Sequence, residues 1–138
     1  MDARVIWKSG LGFIGSSNSG FTLPLGSKSE VGTPNDGFRP VELLAIGLAG
    51  CTAMDVISIL EKKQEMVSAF EVTVHALRAN VHPKVFTEAE IVFHITGRNI
   101  DTDAVERAIE LSTTKYCPAN AMLGKAFPIT TRYEIIEG

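Results

Sequence analysis

Two cysteines carry the most reactive side chains in this 138-residue sequence. Cys51 lies inside the apolar stretch 43–57, which is typical of a buried helix. Cys117 directly precedes Pro118, between two helical patterns, so we expect it at the N-cap of the second helix. Three interpretations are open: the cysteines are packing residues, they ligate a metal, or they perform thiol redox chemistry.

Local electrostatics favour Cys117 as the nucleophile. Free N–H groups at a helix N-terminus stabilise a thiolate and lower the thiol pKa, and Lys115 would add to this. Cys51 is expected about 16 Å from the start of its helix, beyond the reach of the helix dipole. Asp55, one turn further along the same face, opposes ionisation of Cys51. Asp55 is either a paired core residue, which we favour, or an acid of the site.

The residue pattern argues against a metal site. His75, His82 and His94 are scattered over two strand patterns and a loop. The sequence contains neither Cys-x-x-Cys nor His-x-x-x-His spacing, whereas a metal site needs three or four convergent ligands. We therefore expect no metal at the cysteines.

Composition describes an ordinary globular chain, with 45% hydrophobic residues, 21% charged residues and a formal net charge of −3. Such a charge gives no general attraction to nucleic acid or anionic membranes. Residues 43–60 approach a membrane span in hydropathy, but the length is marginal and Asp55 would be costly in lipid. Two cysteines provide no disulfide framework, and residues 1–5 do not begin like a signal peptide, so we expect a cytoplasmic protein.

The order of predicted elements indicates an α+β fold in a single domain, residues 1–138. No βαβ alternation is apparent in this order. The predicted elements are strands 4–8, 11–14 and 21–25, a loop 26–39, a helix from Pro40 to 63 or 64, strands 70–77 and 89–96, a helix 103–116 capped by Asp103 and Glu106, a short helix 118–123 and a strand 129–136.

Small residues recur along the long predicted helix. Ala45, Ala49 and Ala53 repeat every four residues, with Gly47 and Gly50 beside them. Such a face allows another helix to approach closely. Because the chain has no second long apolar helix, we expect the partner to be the same helix of a symmetry mate.

The segment from Pro40 to Ala45, the Gly50-Cys51-Thr52 triplet and the distant Tyr116-Cys117-Pro118 triplet together resemble the OsmC/Ohr (osmotically inducible / organic hydroperoxide resistance) family, in its OsmC-like branch. The resemblance covers nearly the whole chain. It implies an OsmC-like α+β fold with antiparallel sheets, a long buried central helix and an intertwined homodimer.

The resemblance also implies an activity, a thiol-dependent peroxidase that reduces organic hydroperoxides. Cys51 would be the peroxidatic thiolate and Cys117 the thiol that resolves its sulfenic acid into a disulfide. A dithiol or lipoyl-type reductant would restore both thiols, and no metal, haem, flavin or other cofactor would be required. The alternatives are a non-catalytic stress or ligand-binding protein with slowly reacting cysteines, and a thiol sensor.

In peroxidases of this family an Arg–Glu pair activates the first cysteine, and the Glu directly follows the Pro. Here Val41 holds that position, and the adjacent Glu42 is either the candidate catalytic acid or a favourable charge in the first helical turn. Arg39 is the candidate cation, but about 18 Å of helix separates it from Cys51 of its own chain. Arg39 therefore either acts on Cys51 of a partner chain or is a solvated residue ahead of the helix.

Overall fold

A meander of short strands forms much of Met1–Leu44, the first of two units into which the chain divides. The computed structural model describes residues 1–27 and 36–138. β1 (Ala3–Ser9), β2 (Gly12–Ser17) and β3 (Thr22–Leu25) pair in that order, each antiparallel to the next. Gly10 and Gly20 lie in the connecting turns with φ of 54° and 89°, where a side chain would be strained. Most of the predicted loop 26–39, residues 28–35, lies outside the described residues.

The long helix α1 (Pro40–Lys62) begins at the predicted proline and buries one stripe of side chains. Leu48, Thr52, Val56 and Leu60 lie one helical turn apart and belong to the second unit, Ala45–Gly138. By length and composition α1 could cross a membrane, but this stripe packs into a protein core.

The predicted buried helix is found, since α1 packs into the core along this stripe, but part of its apolar surface is exposed in the single chain. The side chains of Ile46 and Met54 are 50% and 73% exposed. The core of the second unit covers the stripe described above, and among residues 1–27 and 36–138 an apolar face of α1 is left exposed.

The second unit also contains a three-stranded sheet whose middle strand is β5 (Phe86–Arg98). β4 (Met66–Arg78) pairs antiparallel with β5, whereas β6 (Ile129–Glu137) pairs parallel with it. Between β5 and β6 come α2 (Thr102–Leu111), a π-helical turn (Ser112–Tyr116) and α3 (Pro118–Leu123). The α+β class is confirmed, but antiparallel pairing throughout and the absence of a βαβ unit are wrong, because this helical crossover returns the chain in the direction of β5.

The core of the second unit lies where β5, α1 and α2 pack together. Ile91, Phe93 and Ile95 alternate along β5 and are fully buried, as their period-two pattern predicts. From α2 come Val105 and Ala108, also fully buried. Burying one large apolar side chain contributes about 1.5–3 kcal/mol, so this cluster holds the three elements in one arrangement.

The N-terminus of α2 differs from the predicted cap at Asp103. The N-cap is Asp101, whose carboxylate accepts a hydrogen bond from the backbone N–H of Asp103 at 3.0 Å. Asp101 has the extended backbone that an N-cap requires, while Asp103 is already inside the helix.

The single domain expected for residues 1–138 stays a prediction.

Candidate functional site

Side-chain hydrogen bonds widen the last turn of the segment that begins as α2. The hydroxyls of Thr113 and Thr114 donate to backbone carbonyls of the preceding turn, at 3.0 Å and 2.6 Å. The N–H of Cys117 donates to the carbonyl of Ser112, five residues earlier, at 2.8 Å. Such π-type turns are rare and frequently occur at functional sites.

Proline then ends this helical segment at Cys117. The residue before a proline avoids helical angles, and Cys117 has φ −82° and ψ 105°. Cys117 is therefore the N-cap of α3, and its Sγ accepts a hydrogen bond from the N–H of Asn120 at 3.3 Å. The predicted N-cap position is confirmed.

The two cysteines meet, although one comes from α1 and the other from the start of α3. Both are free thiols, Cys51 partly buried and Cys117 only 3% exposed. The Sγ atoms of Cys51 and Cys117 and a carboxylate oxygen of Asp55 all lie within 4.8 Å of one another. A thiol pair at this distance can be joined by a disulfide after a small shift.

A buried chain of hydrogen bonds orients Asp55. The Ser112 hydroxyl donates to Asp55 Oδ2 at 2.9 Å, and its oxygen lies 2.8 Å from Thr52 Oγ1. Since Ser112 has one proton and gives it to the carboxylate, Thr52 is the donor to Ser112. Thr52 and Ser112 are both fully buried, so this chain ties α1 to the π-helical turn without unpaired hydroxyls among these residues.

The surroundings of Cys117 reverse its predicted reactivity. Burial, followed by the hydrogen bond to Cys51, raises the pKa of the Cys117 thiol from 9.0 to about 11. The N–H of Asn120 acts in the opposite direction, as the helix N-terminus predicts, but the charge of Asp55 adds to the increase. The lowered pKa expected for Cys117 is not found, because removal from water outweighs one hydrogen bond at a helix start. Which of the two cysteines is the nucleophile stays a prediction.

An open groove of about 610 Å³ lies beside this cluster and has Asp55 in its wall. Met54, Ile59 and Leu111 give it apolar surface, and Lys62 adds a cation. Asp55 belongs to both features, so the groove adjoins the cluster of sulfurs and carboxylate.

Arg39 and Glu42 form a separate pair within the first unit. Arg39 Nη2 lies 2.7 Å from Glu42 Oε1, and the side chains are 47% and 39% exposed. An exposed pair of this kind contributes about 0.2–1 kcal/mol to stability. A catalytic role for either residue stays a prediction.

Sequence reasoning left Asp55 open between a paired residue and an acid of the site, and it did not identify Ser112 as the partner of Asp55. The Cys51-x-x-x-Asp55 spacing places the thiol and the carboxylate one turn apart on α1, which is a readable signal. Nothing in the sequence around Ser112 indicates that it donates to Asp55, because the two residues meet only through tertiary packing.

Two thiols held beside a carboxylate, on helices packed against a mixed three-stranded sheet, define an α+β protein with a cysteine-based site. The family model described as OsmC-like protein matches residues 33–132. The chain therefore belongs to the OsmC family, and the expected resemblance is confirmed.

Relatives and solved structures agree with this assignment. Protein YhfA of Escherichia coli (strain K12) is 39% identical over 136 residues, which cover 99% of this chain and 98% of that protein. A hypothetical protein from Aquifex aeolicus VF5 is 27% identical with a TM-score of 0.86, over 99% of this chain and 96% of that one. An organic hydroperoxide resistance protein OsmC from Legionella pneumophila shares the fold, with 15% identity, a TM-score of 0.65 and coverage of 98% and 95%.

The direction of the buried hydrogen bonds predicts an order of destabilisation. Ser112→Ala leaves both Thr52 and Asp55 without a partner and should lower the free energy of unfolding by about 1–3 kcal/mol. Thr52→Val removes only the donor to Ser112 and should cost about 0.5–1.5 kcal/mol. Urea unfolding of the reduced protein measures both values, and a larger loss for Thr52→Val would contradict the assigned direction.

The raised pKa predicts that Cys117 stays unreactive far above neutral pH. Alkylation of the Cys117 peptide by iodoacetamide, followed by mass spectrometry, should rise with a midpoint near pH 11. In urea-unfolded protein the midpoint should fall to about pH 9. Since the folded pKa is the higher one, the stabilisation linked to the protonated thiol is complete below pH 9 and is lost as the pH rises through 11. A folded midpoint below pH 9 would restore the helix N-terminus as the dominant influence.

Proposed function

We propose that this protein is a thiol-dependent peroxidase for organic hydroperoxides, with Cys51 as the peroxidatic and Cys117 as the resolving residue. The observation that carries the proposal is the approach of two free thiols to within 4.8 Å. Membership of the OsmC family supports it, since solved proteins of this fold include ones named for organic hydroperoxide resistance.

The unequal surroundings of the two sulfurs support these roles. Cys51 is the more exposed sulfur and can meet a substrate, whereas Cys117 is 3% exposed. Burial, and then the neighbouring Cys51, raise the pKa of the Cys117 thiol. Cys117 thus keeps its proton while Cys51 attacks.

The proposed cycle has three balanced steps. The Cys51 thiolate attacks the hydroperoxide, the O–O bond breaks, and the alkoxide takes a proton and leaves as an alcohol. The resulting sulfenic acid condenses with the Cys117 thiol to form an S–S bond and water. A dithiol reductant, lipoyl or another, then exchanges with the disulfide, is itself oxidised, and restores both thiols.

The groove beside the cluster suits an alkyl substrate better than hydrogen peroxide. The groove has a volume of about 610 Å³, and Met54, Ile59 and Leu111 give it apolar surface. Asp55 lies in its wall and also beside the two sulfurs. The polar residues of the wall can hydrogen-bond a peroxide of any size, whereas only an alkyl chain also gains about 25 cal/mol for each Å² of apolar surface that it buries.

We further propose that the protein is a cytoplasmic homodimer of single-domain chains. The uncovered apolar face of α1, with Ile46 and Met54 exposed, supports a helix partner. Among the described residues, and apart from the adjacent residues and backbone of α1 itself, nothing lies within 4 Å of the position that a Cβ would take at Gly47 or Gly50. In such a dimer Arg39, paired with Glu42, is the candidate cation for Cys51 of the partner chain.

Single substitutions at the cysteines test the peroxidase. With cumene hydroperoxide the wild-type thiols should be lost much faster than free cysteine and faster than with hydrogen peroxide. Cys51→Ser should abolish the fast phase, because the attacking sulfur is gone. Cys117→Ser should retain it and accumulate a sulfenic acid, which dimedone traps for mass spectrometry.

Wild-type thiols that react no faster than free cysteine would exclude the peroxidase and leave the non-catalytic OsmC-like protein. Loss of the fast phase in Cys117→Ser together with its survival in Cys51→Ser would instead exchange the two roles. Arg39→Lys and Arg39→Gln test activation, since a charge effect should persist in the first variant and fall in the second.

Bulk at Gly47 tests the dimer. Gly47→Leu should convert a dimer into monomers in size-exclusion chromatography with light scattering, because a large side chain blocks helix approach. Glu61→Leu places the same bulk at an exposed position of α1 and should leave the dimer intact. If the face is instead open to solvent, the protein should be monomeric and Gly47→Ala should stabilise it by about 1 kcal/mol.

A further inference from the structure

Three potential metal ligands converge at the thiol pair. The Sγ atoms of Cys51 and Cys117 and an oxygen of Asp55 are mutually within 4.8 Å. Cys51 and Asp55 project from successive turns of α1, and Cys117 approaches from the start of α3. Two separate elements therefore supply a three-point arrangement.

We propose that the reduced protein binds one thiophilic divalent cation, such as Zn²⁺, through Cys51, Cys117 and Asp55, with a fourth position open to water. Zinc is held by thiolates at about 2.3 Å and carboxylates at about 2.0–2.2 Å, usually in tetrahedral geometry. Ligand atoms around such an ion are about 3.5–3.8 Å apart, so small side-chain rotations bring these three to the required spacing.

The hydrogen bonds behind the ligands support this assignment. Ser112 donates to Asp55 Oδ2 and leaves the other carboxylate oxygen available. The N–H of Asn120 donates to Cys117 Sγ. Ser112 is itself hydrogen-bonded to Thr52, and both residues are fully buried. The orientation of the Asp55 carboxylate is therefore fixed before a cation binds. Outer hydrogen bonds of this kind orient metal ligands and tune affinity.

The donor set decides which cation fits. Two sulfurs and one carboxylate oxygen favour Zn²⁺ and the softer Cd²⁺ over Mg²⁺ and Ca²⁺, which prefer oxygen ligands alone. Binding releases the two thiol protons, and the cation converts the proximity of Asp55 to the sulfurs from repulsive to favourable. The sequence indicated the opposite, no metal at the cysteines, because it shows neither Cys-x-x-Cys nor His-x-x-x-His spacing.

Metal binding would exclude the chemistry proposed above, because the same sulfurs cannot ligate a cation and form a disulfide. A bound cation would hold the reduced state, and formation of the disulfide would remove both thiolate ligands and release the ion. The inference itself rests on the geometry of the cluster and does not require peroxidase activity.

Titration of the reduced, chelator-stripped protein with Cd²⁺ tests the site through the ultraviolet sulfur-to-cadmium charge-transfer band. We expect one cation per chain and displacement by Zn²⁺. Cys51→Ser and Cys117→Ser should each lose about half the band, since each removes one of two thiolates. Asp55→Asn should weaken binding at least about tenfold. Glu61→Gln, an exposed acid on the same helix, should bind like wild type.

A second measurement uses the wild-type protein, so it does not depend on whether the variants fold. At neutral pH Zn²⁺ should slow alkylation of Cys51 in wild-type protein, and Mg²⁺ should not. Equal affinity in Asp55→Asn and wild type, or unchanged alkylation with Zn²⁺, would overturn the metal site. Peroxide consumption is measured separately with chelator present, so loss of that activity alone overturns the proposed function and leaves the metal site standing.

Discussion

The arrangement of the site depends on one buried chain of hydrogen bonds, from Thr52 through Ser112 to Asp55. This chain joins α1 to the π-helical turn. It also gives each buried hydroxyl a hydrogen-bond partner, as buried polar groups require. Five residues beyond Ser112 the backbone reaches Cys117, whose N–H is bonded to the Ser112 carbonyl. Positioning Ser112 against α1 therefore also positions the second sulfur beside the first.

That position puts two thiols next to a carboxylate, which is an electrostatically costly combination. Burial and the neighbouring groups raise the pKa of Cys117 to about 11, so this thiol keeps its proton. A protonated, buried thiol beside a more exposed one supports the proposed roles, Cys51 as the attacking thiol and Cys117 as the resolving thiol. A divalent cation would relieve the same repulsion in another way, which is why one cluster supports both a redox proposal and a metal proposal.

The helix that carries Cys51 has two unlike faces. One stripe, Leu48 to Leu60, belongs to the core of the second unit, while Ile46 and Met54 remain exposed in the single chain. The resulting uncovered apolar surface makes a dimer the natural proposal. It also explains why a hydropathy pattern suited to burial on all sides is found on a helix that its own chain buries on only one.

The sequence by itself determined the elements whose signals are local. Period-two alternation along β5, Pro40 at the start of α1 and Cys117 before Pro118 each specify backbone conformation through neighbouring residues. The family could be recognised from the segments around the two cysteines. Only the tertiary structure decided the parallel pairing of β6, the meeting of Ser112 with Asp55 and the raised pKa of Cys117. All three depend on burial and contact between residues far apart in the chain, so none of them can be predicted from the local spacing of residues.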